Sequence, residues 1–444
     1  MSKNIHFIAI GGSAMHNLAL ALHDLGHNVT GSDDEIYEPS RTRLKKSGLL
    51  PTEYGWFSEK ISKDLDAVIL GMHARPDNPE LAAALALDIP VYSYPEYVAL
   101  QAKDQKRVVI AGSHGKTTTT AMIMHVLGKM EMEYDYLVGA QLEGFDRMVK
   151  LTNAPLIILE GDEYLSSPID RRPKMMHYKP DVAVITGVAW DHINVFPTFE
   201  IYEQQFKDFI LEMNKGSKLF YYQHDESLEH MMTTSDVHVD TESYDKVDNR
   251  NDVVVYGGKE YKLNIIGQHN MQNLEAARKV CLELGISSGD FFEAIQDFRG
   301  AAKRLQYRGD RGGFRVYQDF AHAPSKVKAT CDAVKEWFAS EKLYAFFELH
   351  TFSSLNKEFL PQYKDSLSKA DLAVVVYDDH TLQMKKMPPL SPEFVKEQFN
   401  HPNIEVITDN QAVLQRLLDL PKDGNILMMS SGTFGGLDYN SITD

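Results

Sequence analysis

The residues best suited to chemistry lie in short clusters, and the densest is Gly112-Ser113-His114-Gly115-Lys116-Thr117-Thr118. Glycines let a backbone approach an anion closely, a lysine can reach the outer oxygens of a polyphosphate, and a threonine hydroxyl can sit on Mg2+. The spacing is a shortened phosphate loop, because Ile110 stands where the common pattern has its first glycine. A second cluster, Glu160-Gly161-Asp162-Glu163, offers carboxylates. A hard cation bound to phosphate takes one or two of these, so Glu160 is a candidate Mg2+ ligand, with a solvated acidic turn as the plain alternative. Asp191-His192 forms a third. A lone histidine is more often structural than a ligand, but this one follows a strand expected beside those that lead to the other two clusters. Further along come Gly267-x-His269-Asn270-x-x-Asn273, a basic run from Lys303-Arg304 to Arg308, and Asp319-x-Ala321-His322-x-Pro324. Asparagine at a helix start is often only a cap. A basic run is often a solvated face, yet in an acidic chain it is also a candidate clamp on phosphate.

These clusters need elements to hold them. Residues 107–111 read as a buried parallel strand, and Ile123, Val126, Leu127 and Met130 after the loop fall at the spacing of a helix face. Strand, glycine turn and helix together aim backbone N–H groups and the helix dipole at an anion. Strands over 156–159 and 182–187 deliver the acidic cluster and Asp191-His192 at their C-terminal ends, where open α/β sheets bind ligands. Residues 5–33 predict a β-α-β unit: a strand over 5–10, the turn Gly11-Gly12-Ser13-Ala14, a helix stopped at Gly26, and a strand ending at Ser32-Asp33. Its glycine fingerprint is degraded to Ala9-x-Gly11-x-x-Ala14, so it suits a nucleotide-like ligand better than NAD. More strands are expected over 66–71 and 90–92, a linker over 101–106, hairpin-like strands over 218–222 and 253–256, and a helix over 274–284. A last parallel sheet is expected from strands over 314–318, 343–347, 372–377, 404–407 and 425–429. The fold class is therefore α/β, with domains at 1–104, 105–302 and 303–444: Rossmann-like, phosphate-loop ATPase-like and Rossmann-like.

At 444 residues the chain exceeds one ordinary core. A net charge of −17 argues against a nucleic-acid groove, which needs clustered Lys and Arg, but leaves room for a local phosphate site. The two cysteines, Cys281 and Cys331, read as buried free thiols of a reducing compartment. The first apolar run reads as a strand rather than a signal peptide, and no run approaches the roughly 18 apolar residues of a membrane span. A cytoplasmic protein without membrane insertion is expected. Nothing in the sequence speaks to oligomeric state.

In this order the motifs resemble the Mur ligase family, the ATP-dependent amide-forming enzymes of peptidoglycan metabolism, over essentially the whole chain. The resemblance implies a domain for a UDP-sugar, one for ATP and a mobile one for the amine, with ATP and two Mg2+ sites. It implies ATP contacts from Gly112, Ser113, His114, Gly115, Lys116, Thr117, Thr118, His269, Asn270, Asn273, Arg304 and Asp319. Mg2+ would be held by Thr117, Glu160 and His192, and the UDP-sugar by Gly11, Gly12, Ser13, Ala14, Met15, Asp33 and His73. His322 and His350 would lie near the amine; Lys116, His192, Asp319 and His322 would carry the catalysis. Two kinds of member take UDP-N-acetylmuramate as the acid, one adding L-alanine in synthesis and one adding recycled L-alanyl-γ-D-glutamyl-meso-diaminopimelate. The stretches His27-Asn28-Val29-Thr30-Gly31-Ser32-Asp33, Asp162-Glu163-Tyr164 and Asp170-Arg171-Arg172-x-Lys174 resemble the tripeptide-adding kind. The alanine-adding kind carries an arginine-rich stretch where this chain has His350-Thr351-Phe352-Ser353-Ser354, although the frame around it is similar to that kind.

Other readings compete. A Rossmann dehydrogenase is suggested by residues 5–33 and opposed by the phosphate loop elsewhere. A non-catalytic UDP-sugar-binding protein is opposed by the joint presence of Lys116, Thr117, Glu160 and His192. A folylpolyglutamate-type ligase is opposed by a whole Rossmann-like domain ahead of the loop.

Overall fold

Runs of apolar residues too short to be helices become strands, and the alternation of these runs with amphipathic stretches sets the architecture. The computed structural model describes residues 2–142, 144–234, 236–301 and 303–443. Ala302, at the expected second boundary, lies outside them. The chain divides into two units: Met1–Gly112, Val126–Gly187 and Gln204–Ser243 in the first, and Ser113–His125, Val188–Glu203 and Tyr244–Asp444 in the second.

The first unit holds two sheets. The strands β1 (Asn4–Ile8), β2 (Asn28–Ser32), β3 (Ala67–Leu70) and β4 (Val91–Ser93) form a parallel sheet in the order β2-β1-β3-β4. A larger sheet has the order β11-β10-β9-β5-β8-β6-β7, built from β5 (Lys106–Ala111), β6 (Asp135–Leu137), β7 (Val149–Lys150), β8 (Leu156–Gly161), β9 (Val182–Ile185), β10 (Lys218–Tyr222) and β11 (Asp240–Tyr244). Its central strand β5 pairs in parallel with β8 and β9. Val108 to Ala111 and all of β8 are buried, as expected of strands covered on both faces. The expected β-α-β unit is present, its helix Ser13–Asp24 ending before Gly26, which takes φ +85°.

In the second unit, β12 (Asn249–Arg250), β13 (Val253–Tyr256) and β14 (Lys259–Lys262) form a small antiparallel sheet. The last sheet, ordered β15-β16-β20-β17-β18-β19, comprises β15 (Gln306–Arg311), β16 (Phe314–Asp319), β17 (Leu343–Glu348), β18 (Leu372–Val376), β19 (Ile404–Ile407) and β20 (Gly424–Met429). Strand β17 feeds both faces: Leu343, Ala345 and Phe347 enter one apolar cluster, Tyr344 and Phe346 the other. Trp190 and Ile193, in the segment after β9, pack against the first of these clusters.

Two expectations are corrected. The helix expected from 274 begins at Gln268 and runs to Glu283, so Asn270 and Asn273 lie inside it rather than ahead of it. The strand over 218–222, expected as hairpin-like, is β10, which pairs in parallel with β9. Part of the basic run is the antiparallel edge strand β15, and Arg308 lies over the Tyr439 ring.

Candidate functional site

The turn after β5 is built by two glycines with positive φ. Gly112 sits at φ +123°, where an added Cβ would collide with the Thr186 hydroxyl; Gly115 sits at φ +79° against the Asn273 side-chain carbonyl. Only glycine fits both positions. Between them Ser113 is buried, its hydroxyl 2.7 Å from the Tyr202 hydroxyl while accepting the Ala189 N–H at 2.8 Å. The serine side chain therefore pins the loop and leaves the backbone to face an anion. Lys116 opens the helix Lys116–Lys129, and Thr117 is buried one residue on. This is the strand–turn–helix expected of a phosphate site. Burial, with the Lys326 and Lys116 charges, pushes His114 down to about 4, so it is neutral near pH 7.

Other expected groups join the loop within the second unit. The Arg304 guanidinium lies 3.4 Å from Thr117 Oγ1 and over the Phe320 ring. Asn270 donates to the Ile266 carbonyl, and its side-chain oxygen faces Asn273 at 3.4 Å. Burial alone pushes His269 down to about 4. Asp319 accepts the Leu305 and Ala321 N–H groups at 2.5 and 2.6 Å, so it ties the segment after Arg304 to the turn after β16, and burial raises its pKa against the pull of Arg304. Asp191 Oδ1 accepts the N–H of His192, which adopts φ +56°. Asp191 Oδ2 faces Lys326 Nζ at 3.4 Å and His322 Nε2 at 3.5 Å. Burial opposes its charge, but His192, Lys326 and His322 hold this carboxyl well below the usual range. His322 Nδ1 donates to the Phe320 carbonyl, and burial and Lys326 lower its pKa. His350 is partly exposed, 4.0 Å from Glu348. Glu348 is buried and accepts from Ser430 Oγ and the Phe434 N–H, fixing the turn after β20.

In the first unit, Glu160 is buried at the end of β8 with one oxygen fixed by the Gly139 N–H at 2.8 Å. The Glu160 carboxylate here, and the Thr117 hydroxyl in the second unit, are oxygen donors of the kind Mg2+ takes beside phosphate oxygens, whereas the His192 imidazole is a donor that Mg2+ takes less readily. Asp162 pairs with the partly buried Lys174 at 2.5 Å, and that ammonium lies 5.6 Å from the Tyr94 and Tyr164 rings. In the turn after β1, Asp33 Oδ2 accepts the Gly11 N–H at 2.7 Å, and a Cβ on Gly11 would meet this oxygen and Ile36. Burial pushes Asp33 up to about 6. The carboxylate thus braces this turn. Gly12, Ser13 and Ala14 remain accessible and His73 is exposed, whereas Met15 is buried beneath Gly12.

Sequence reasoning missed Tyr202, His16 and Lys326. Tyr202 gives no motif signal. His16 bonds the Gly12 carbonyl one turn along its own helix, a spacing that could have revealed it. Lys326 stands in a helix's first turn, where a cation opposes the helix dipole, and that misplacement was a readable signal.

Three family models match the chain in order: the Mur ligase family catalytic domain over residues 4–106, the Mur ligase middle domain over 110–281, and the Mur ligase glutamate ligase domain over 303–432. A UDP-N-acetylmuramate–L-alanine ligase of Caldicellulosiruptor bescii is 30% identical over 99% of this chain and 97% of its own. The UDP-N-acetylmuramate–L-alanyl-gamma-D-glutamyl-meso-2,6-diaminoheptandioate ligase of Escherichia coli is 26% identical over 98% and 96%. The crystal structure of a murein peptide ligase from Psychrobacter arcticus superposes with a TM-score of 0.69 at 21% identity, covering 99% of this chain and 98% of that one. Among the described residues, no helix is long and apolar enough to cross a membrane.

Proposed function

Because the chain belongs to the Mur ligase family, and is thereby an ATP-dependent, Mg2+-using ligase of peptidoglycan synthesis, we propose that it joins the carboxylate of UDP-N-acetylmuramate to the amine of L-alanyl-γ-D-glutamyl-meso-diaminopimelate, in peptidoglycan recycling. The observation that carries the choice of amine is the turn after β17. L-alanine is small, and its carboxylate is best gripped by a planar, two-pronged arginine. Residues 349–356 hold no arginine. Thr351 and Ser354 spend their hydroxyls on each other at 3.0 Å, and Ser353 Oγ accepts the Ile193 N–H at 3.4 Å. L-alanine remains the second reading, favoured by the 30% identical relative.

In this reading the muramate carboxylate attacks the γ-phosphorus, the bond to ADP breaks, and an acyl phosphate forms. The amine then attacks its carbonyl, gives up a proton, and phosphate leaves. Charge shifts across the phosphoryl oxygens, so positioned cations and N–H groups matter more than acid–base chemistry. Lys116 and the N–H groups of residues 112–118 hold the phosphates, with Arg304 beside Thr117. His269, Asn270 and Asn273 hold the nucleoside, and Asp319 shapes the hinge that carries Arg304. Thr117, Glu160 and His192 would hold Mg2+, at two sites, and the metal would supply charge neutralisation for the phosphates. Gly11, Gly12, Ser13, Ala14 and His73 meet the UDP-sugar, with Asp33 and Met15 supporting them. His322 and His350 face the amine. We assign the domain boundaries to 104/105 and 302/303, and the reaction to the cytoplasm.

The test is phosphate release from ATP with UDP-N-acetylmuramate and Mg2+, using the tripeptide and L-alanine as separate acceptors. Release with the tripeptide at least ~10-fold above that with L-alanine is expected, a gap of about 1.4 kcal/mol in barrier. The reverse order would establish the second reading.

A further inference from the structure

Lys326 stands in the first turn of the helix Pro324–Trp337, where the helix dipole favours negative charge. Its side chain is only 22% exposed, and its ammonium lies 3.4 Å from Asp191 Oδ2. That oxygen is shared with His322 Nε2, and the other oxygen of Asp191 is engaged by the His192 N–H. A charge-assisted bond at full strength measures about 2.7–2.9 Å, so the 3.4 Å spacing to Asp191 is a long one. The lysine's flexible four-carbon stem can turn toward a stronger anion. The same charge reaches the phosphate loop: after burial, Lys326 is the largest influence lowering His114, ahead of Lys116. It bears also on Asp319 and His322. One lysine on a different segment from the loop thus shares Asp191 with His322, and Ala189, two residues before Asp191, donates its N–H to Ser113 of the loop at 2.8 Å, all within the second unit.

We propose that Lys326 is a further phosphate-binding cation of the nucleotide site, in addition to Lys116 and Arg304, contacting the γ-phosphoryl oxygens as that group passes from ADP to the acceptor carboxylate. The proposal rests on the ATP-ligase reading and is independent of which amine is used. As the carboxylate oxygen bonds to the γ-phosphorus, the bond to the bridging oxygen breaks and ADP leaves with the electron pair. The three equatorial oxygens stay charged throughout, and cations placed around them act on the transition state. Lys116 approaches from the helix after the loop, and Lys326 from the helix after Pro324. The pairing with Asp191 keeps Lys326 in place before ATP arrives and lowers the cost of holding two ammonium groups near Arg304.

The experiment compares the full chain with Lys326→Met and Lys326→Arg. Affinities for ADP and for the non-hydrolysable ATP analogue with an imido β–γ bridge are measured by calorimetry with Mg2+, alongside kcat and KM for phosphate release. Lys326→Met is expected to weaken the analogue ~10-fold or more, to change ADP by less than ~2-fold, and to lower kcat ~10–100-fold with KM for UDP-N-acetylmuramate held within ~3-fold. Lys326→Arg should restore most of both losses. Equal weakening of ADP and analogue, or unchanged affinity for both, overturns the proposal and leaves Lys326 as a structural partner of Asp191. If the wild-type chain binds neither nucleotide, the ligase reading fails, and this proposal with it.

Discussion

At the level of single residues, Lys116 has the clearest consequence. It lies at the start of a helix whose N–H groups and dipole already favour an anion, so removing its charge takes away transition-state stabilisation more than folding energy. Lys116→Ala should lower phosphate release by ~100-fold or more while the thermal midpoint moves by no more than about 2 °C. Turnover at the wild-type rate would remove the phosphate-loop assignment. Asp33 makes a different prediction, because its burden is burial. Its folded pKa, about 6, stands above the unfolded value near 3.9. The protonated form is therefore favoured by folding: its contribution is fully present below about pH 4 and is lost as pH rises through about 6. Allowing for solvent screening, the swing is about 1 kcal/mol. In urea denaturation, the wild type should gain stability relative to Asp33→Asn as pH falls from 7 to 4.5. A constant difference across that range would show that Asp33 does not carry this burden.

The glycine turn makes its prediction as an element, since Gly115, in the turn ahead of the helix Lys116–Lys129, and Asn273, in the helix Gln268–Glu283, share one small space. Gly115→Ala adds a Cβ at φ +79° against the Asn273 carbonyl, and should cost about 1–3 kcal/mol of stability and weaken ADP ~10-fold. Asn273→Ala in the same chain removes the collision but not the backbone strain. The double variant should therefore recover about 0.5–1 kcal/mol relative to additivity. Strict additivity in calorimetry would mean that the two residues do not compete for space. The loop itself was legible in the sequence because its signals are local: an apolar strand, two glycines and a helix stripe over about 25 residues. The start of the helix Gln268–Glu283 was not, because its first turn, Gln268-His269-Asn270, shows no apolar periodicity. Strand β15 was hidden by its charge, since an edge strand with Arg308, Asp310 and Arg311 resembles a solvated run. The lysine facing Asp191 was hidden by distance: its partner lies 135 residues away, and only folding brings the two together. Arg304 and Asp319 were found from their motif, but not the division of labour by which Asp319 fixes the turn and Arg304 reaches Thr117.

Across the whole molecule, a net charge of −17 surrounds a reaction between anions, so local cations must overcome a repulsive background before any chemistry begins. The reaction also separates into two halves with different requirements. In the proposed reading, formation of the acyl phosphate uses ATP, Mg2+ and the UDP-sugar and is assigned to the loop, the acidic cluster and the first sheet's glycine turn. Transfer to the amine is assigned to the strand ends of the last sheet, around His322, His350 and the turn fixed by Glu348. The halves can be tested apart. Hydroxylamine, a small nucleophile needing no specific pocket, should intercept the acyl phosphate and give a UDP-muramoyl hydroxamate in the absence of any amine substrate. Its rate should fall ~100-fold in Lys116→Ala and change less than ~3-fold in His350→Ala, if His350 serves only the second half. Adding the true amine should then suppress hydroxamate by diverting the intermediate. The tripeptide is expected to do this at concentrations ~10-fold or more below those at which L-alanine has any effect, because the turn after β17 offers an amino-acid carboxylate no arginine. Suppression by L-alanine at the lower concentration would reverse the assignment of the amine while leaving the phosphate site intact. A complete absence of hydroxamate would instead place the error in the first half, at the acid substrate or the loop.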